Sequence, residues 1–178
     1  MENKCYVCRN EAKIKDVAGG IDSKEIICPR CGTYWIMKTL WVAPKNAIED
    51  EKRHIVSGYC REKNEDGYIP KFDNDNILEI QKIKKPRVEE KKNKLFLALN
   101  KDIYSMDFLR KENDIYDLKY QAISYSKSEE EYKILLNIIF QEEKLIQINP
   151  RKSWGNHTTS YYCLAPKGLM LLDSLEND

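Results

Sequence analysis

Two pairs of cysteines, Cys5-x2-Cys8 and Cys28-x2-Cys31, constrain this chain more than any other feature of it. With two residues between them, the cysteines of a pair sit on one tight turn and aim both thiolates at a single point. Two such knuckles brought together complete a tetrahedron around a metal ion. Nineteen residues separate the pairs, a spacing within that of four-cysteine zinc sites. Gly32, directly after the second pair, supplies the left-handed backbone such knuckles often need, and Asn10 after the first pair tolerates it. Cys5, Cys8, Cys28 and Cys31 are therefore the expected ligands of one structural Zn2+, a closed site that contributes folding energy and no chemistry. An iron–sulfur cluster is the alternative that a four-thiolate set leaves open. Disulfides suit a reducing compartment poorly, and a redox pair would be single and tied to a βαβ unit.

Metal also answers a problem of size. A segment of about 45 residues buries too little apolar surface to fold alone, and a metal is the usual substitute. Ile26, Ile27, Tyr34, Ile36 and Leu40 mark short strands around the cysteines, which predicts a zinc ribbon over residues 1–44. Gly19-Gly20 reads as a turn inside it, and Pro44 closes it. Cys60 and Cys163, far from both knuckles, read as core thiols.

The 178 residues as a whole have a soluble, globular composition, with 42% hydrophobic and 33% charged residues. No apolar run approaches the roughly 20 residues of a membrane span, and Met-Glu-Asn-Lys begins no secretory signal, so the expectation is a cytoplasmic protein with no membrane partner. Thirty basic residues oppose 29 acidic ones, which excludes a uniformly basic nucleic-acid binder and leaves room for a local patch.

Residues 45–85 read as a helical linker or packing segment. Ile48, Ile55, Val56, Tyr59 and Cys60 share one face of a helix over 46–63, with Glu49, Asp50 and Glu51 in its first turn. Asp73 or Asn74 caps a short helix through Ile80. Next comes the one basic run, in which Lys82, Lys84, Lys85, Arg87, Lys91, Lys92 and Lys94 oppose only Glu89 and Glu90. Pro86 suits the first turn of a helix reaching about Leu99, with Val88, Leu95, Phe96 and Leu99 inward. Residues 101–127 give no firm pattern. Ser128 with Glu131 makes a capping box for a helix to about Glu143, followed by a strand over 145–149, a tip over 150–158, a strand over 159–164 and a closing helix from Pro166. That order predicts a winged helix over 86–178 and an α+β chain overall.

The four-cysteine ribbon, the phrase His54-Ile55-Val56-Ser57-Gly58-Tyr59-Cys60-Arg61-Glu62 and the step Pro166-Lys167-Gly168-Leu169 together resemble the N-terminal region of bacterial nucleoside 2-deoxyribosyltransferase-like proteins. The resemblance implies a regulatory or recognition module beside a domain acting on nucleotides, in defence against phage. The transferase domain has no counterpart before Asp178, so the resemblance carries no enzymatic activity to these residues.

With only His54 and His157 and no Gly-rich phosphate loop, the chain offers no catalytic constellation. A recognition role has two forms. In the first, the module contacts nucleic acid chiefly through phosphates, using Lys84, Lys85, Arg87, Lys91, Lys92 and Lys94 together with Arg151, Lys152 and His157 at the wing tip. The helix over 127–144 carries Glu129, Glu130, Glu131, Glu142 and Glu143 against three lysines, which argues against base reading by that helix. In the second form, the fold holds a protein partner, an effector domain or a second copy, with Trp35, Trp41 and Trp154 as anchors.

Overall fold

A computed structural model of the chain describes residues 3–17, 22–42, 48–103, 114–150 and 160–177. The architecture is α+β, and it divides into two compact units, Met1–Pro86 with Asp117–Lys127 and Arg87–Tyr116 with Ser128–Asp178.

The first unit is built on a four-stranded sheet in the order β1 (Lys13–Asp16), β2 (Ser23–Cys28), β3 (Gly32–Met37) and β4 (Lys71–Phe72). The first three strands run antiparallel, and β4 joins β3 in parallel with Phe72 opposite Ile36. Strands β2 and β3 alternate as half-buried strands must. Ile26, Cys28, Tyr34 and Ile36 turn into the core, while on the other face the Trp35 indole N–H donates to Glu25 at 3.2 Å. The turn between them is the second cysteine knuckle, and Gly32 after it has φ +81°, the left-handed conformation expected there. A side chain at Gly32 is barred twice over, because its Cβ would stand 2.6 Å from Asn64 Oδ1. After the first knuckle the left-handed residue is Arg9 (φ 65°) and not Asn10. There the Arg9 N–H closes the turn onto the Cys5 carbonyl at 2.9 Å, and the Asn10 carbonyl accepts from Cys5 N–H at 2.8 Å.

Helix α1 (Lys38–Val42) follows the sheet, and α2 (Arg53–Glu65) packs across it through Ile55, Val56 and Cys60. The single helix expected over 46–63 is corrected at its start. Glu49 is extended, Asp50–Lys52 form a 3-10 turn, and the three acids precede the first turn of α2. A tertiary bond sets this entry, since Glu49 N–H donates to the side-chain oxygen of Gln81 at 2.9 Å. Gln81 ends α3 (Asn76–Gln81), whose first turn is capped as expected, with Asp73 accepting from Asp75 and Asn76 N–H at 2.9 and 2.8 Å. Helix α5 (Leu118–Ile123) returns from the unassigned stretch to pack on α2. Gly58 makes that approach feasible, because a Cβ there would stand 2.5 Å from the Tyr125 ring.

In the second unit, α4 (Val88–Ile103) buries Leu95, Phe96, Leu99 and Ile103. Val88, expected inward, is exposed as the first residue of the helix. The Ser128 hydroxyl caps α6 (Glu129–Asn137) by accepting from Glu131 N–H, as the capping box predicts, and the helix continues into a π-helical turn over Ile138–Glu142. Strands β5 (Ile146–Pro150) and β6 (Ser160–Leu164) pair antiparallel from Ile146 opposite Leu164 to Pro150 opposite Ser160. Helix α7 (Pro166–Glu176) follows at once. Gly168 is required where it stands, because a Cβ would come 2.1 Å from the Leu145 carbonyl oxygen. The expected turn at Gly19-Gly20 and the boundary at Pro44 lie outside the described residues, as do positions 151–158 of the tip expected over 150–158, whose first residue, Pro150, ends β5.

Candidate metal centre

Both knuckles meet at the end of the β2–β3 hairpin. The sulfurs of Cys5, Cys8, Cys28 and Cys31 all lie within 4.8 Å of one another, with Cys5 and Cys31 at 3.8 Å and Cys8 and Cys28 at 3.5 Å. Zn–S bonds of about 2.3 Å place the sulfurs of a regular tetrahedron about 3.8 Å apart, so the donor set fits one four-coordinate ion. These distances are far too long for a disulfide, and all six cysteines are free thiols. Three of the four ligands are buried and Cys8 is half-buried.

The surroundings are arranged for anionic sulfur. The Tyr34 hydroxyl accepts from Val7 N–H at 3.3 Å, which leaves its proton for Cys5 Sγ at 3.0 Å. The Ser57 hydroxyl likewise accepts from Arg30 Nε at 3.3 Å, which leaves its proton for Cys31 Sγ at 3.3 Å. Cys31 N–H points at Cys28 Sγ at 3.4 Å. Such partners orient ligands and stabilise their charge. Hydrogen bonds from Cys31, Cys5 and Cys8 lower the pKa of the Cys28 thiol. Burial pushes the Tyr34 hydroxyl well up, which keeps it a donor. Burial does the same to Cys60, a fully buried neutral thiol in the core as expected, whereas Cys163 in β6 is half-buried.

Arginines staple the knuckles to the helices. Arg53 Nη1 donates to the Tyr6 and Val7 carbonyls at 2.8 and 2.7 Å, and Arg61 donates to the Arg30 and Pro29 carbonyls. From the second knuckle, Arg30 reaches Gln121 Oε1 at 3.1 Å and the Ser126 carbonyl at 2.7 Å, which ties residues 117–127 to the centre. Nothing in the spacing of Arg30, Arg53, Ser57 or Tyr34 marks these roles. They follow from tertiary packing alone.

Of the cations expected to meet phosphates, Lys84, Lys85 and Arg87 are exposed. Lys91 and Lys92 are corrected: they are 1% and 4% exposed and turn into the second unit. Lys91 bonds Glu131 at 2.6 Å, and Lys92 bonds Glu89 at 2.6 Å and Glu143 at 2.8 Å. These lysines share the inner face of α4 with Leu95 and Leu99, where acids on the neighbouring elements claim their charge. Lys94 is half-buried, and burial lowers its pKa. Arg151, Lys152 and His157 lie outside the described residues, as does Trp154. Trp35 lies beneath the Lys71 ammonium, 4.7 Å from its ring centre, and Trp41 packs near Tyr6. Among the described residues no helix is long and apolar enough to cross a membrane. Compared with protein-family models, curated proteins and solved structures, the chain matches none.

Proposed function

We propose that the chain is a zinc-stabilised recognition module with no active site of its own, whose second unit is a winged helix and which contacts nucleic acid through phosphate groups. The tetrahedral sulfur set carries this reading. Four thiolates around one ion leave no position for substrate, so the metal's part is to hold the fold. Zinc, which needs no redox partner and favours tetrahedral thiolates, is the ion proposed. The winged helix is supported by the run α4, α6, β5, β6 and α7, in which the closing helix starts one residue beyond the hairpin. Because α6 opens with Glu129, Glu130 and Glu131, recognition is assigned instead to the exposed Lys84, Lys85 and Arg87 and to Arg9 and Lys127 of the first unit, together with Arg151, Lys152 and His157 of the sequence.

Salt dependence tests it. Each phosphate neutralised steepens the fall of log affinity against log salt by about 0.9, and three to five contacts give a slope of about −2.7 to −4.5. A duplex titration in low salt that finds no binding contradicts the proposal.

One observation favours protein docking as a second reading. On α7, Leu169 and Met170 are 47% and 74% exposed, and Gly168 is its one buried described residue. The partner would be an effector enzyme of the kind the family resemblance implies.

A further inference from the structure

The four sulfurs of the metal centre are not equally protected. Cys5 and Cys31 are buried and take hydroxyl protons from Tyr34 and Ser57 at 3.0 and 3.3 Å. Cys28 is buried and takes the Cys31 N–H at 3.4 Å. Cys8 is the most exposed of the four, and among the described residues its sulfur receives no hydrogen bond from a hydroxyl or an N–H. It faces the sulfur of Cys28 at 3.5 Å. A cavity of about 210 Å3 opens beside it, between Arg30, Arg53 and His54. One water molecule takes up roughly 30 Å3 of liquid, so a small solute has room to reach Cys8.

Both differences act on reactivity in the same direction. A hydrogen bond to a thiolate draws off part of the charge with which it attacks, so the donors that hold Cys5, Cys28 and Cys31 also make them poorer nucleophiles. Burial shuts out the reagent as well. Cys8 has neither shield. Its neighbour Cys28 is placed to complete the chemistry, since that sulfur lies 3.5 Å away on the other knuckle.

We propose that Cys8 is an oxidation site for small hydroperoxides and that its bonding to Cys28 opens the metal centre. The inference rests on the zinc reading above. The Cys8 thiolate attacks the hydroperoxide, the O–O bond breaks, and an alkoxide or hydroxide leaves and takes a proton from water. The Cys28 thiolate then displaces hydroxide from the sulfenic sulfur, and that hydroxide is protonated in turn. Two thiolates give up two electrons in all, and the hydroperoxide is reduced to an alcohol or water and one further water. Cys5 and Cys31 remain as the only thiolate donors, too few to hold the ion, and the core that the cysteines share with α2 and α3 loosens.

The test uses the full chain, and its zinc content is measured first. A chain purified without zinc contradicts the zinc reading itself. With zinc present, hydrogen peroxide is added in stages, the released ion is read with a metallochromic dye, and the oxidised cysteines are mapped by alkylation and peptide mass spectrometry. Zinc release in step with a Cys8–Cys28 disulfide, lighter by two hydrogens and reversed by a thiol reductant, is expected. Cys8→His keeps four donors and removes the attacking sulfur, so its zinc should leave severalfold more slowly. Tyr34→Phe strips Cys5 of its donor and should bring Cys5 into the oxidised set. Oxidation that starts at Cys5 or Cys31 in the wild type, or spreads evenly over the four, overturns the site. So does zinc retained with all four thiols intact, or a Cys8→His chain that binds zinc and loses it to peroxide as fast as the wild type. A Tyr34→Phe chain oxidised in the wild-type pattern contradicts the protecting role of the hydroxyl.

Discussion

At the scale of single residues, identity and environment diverge most at the lysines of α4. A run of lysines on a sequence looks like a solvated patch, yet Lys91 and Lys92 are among the most buried polar residues of the molecule. Burial disfavours the Lys92 ammonium, but bonds from Glu143 and Glu89 outweigh it and leave the pKa above the usual lysine value. The stabilisation from that pairing is therefore complete at neutral pH and is lost only as pH rises through the raised value. Lys92→Ala should lower the stability of the second unit by about 2 kcal/mol, less than the roughly 3–5 kcal/mol for removal of one partner of a fully buried pair, because both acids are partly exposed. In melting experiments the gap from wild type should narrow in strongly alkaline buffer. A Lys92→Ala chain that melts like wild type at neutral pH would show that the pair contributes nothing. The opposite outcome of sequence reading is Gly168, whose place in the Pro166-Lys167-Gly168-Leu169 step is explained by the Leu145 carbonyl it must pass.

At the scale of elements, what was legible in the sequence is what depends on local pattern. Strands β2 and β3, the Asp73 cap, the Ser128 cap, the β5–β6 pair and the proline start of α7 all follow from alternation, capping residues and breakers within a few positions. What was not legible depends on distant partners. The shortened start of α2 follows from Gln81, the return of residues 117–127 to the first unit from Arg30, Gly58 and Tyr125, and the hydroxyl donors at the sulfurs from Tyr34 and Ser57. The bonds of Arg30 yield a prediction at this scale. Arg30→Ala removes its ties to Gln121 and Ser126, so amide hydrogen exchange over 117–127 should speed up while the cysteines keep their metal. Unchanged exchange there would mean that α5 is held by its packing on α2 alone.

At the scale of the whole molecule, the cysteines do more than close a ribbon. Cys5, Cys28 and Cys31 lie in one continuous core with Ile26, Tyr34, Leu40, Val56, Cys60, Phe72 and Ile77. Loss of the metal should therefore loosen α2 and α3 along with the sheet, a wider effect than the 1–44 ribbon would predict. The clustering of the four cysteines was legible from spacing alone. The core they join was not, because its other members come from helices up to 75 residues away in the chain (Cys5 to Ile80). The account stands most directly on metal content measured together with unfolding, for the wild type and for Cys28→Ser. It predicts one zinc ion per wild-type chain, released as pH falls and thiolates take up protons. It also predicts a Cys28→Ser chain whose first unit, α2 and α5 included, exchanges and melts early while the unit of α4, α6, β5, β6 and α7 unfolds as before. A chain purified without metal, a multi-iron cluster in its place, or a Cys28→Ser variant as stable as wild type would contradict it.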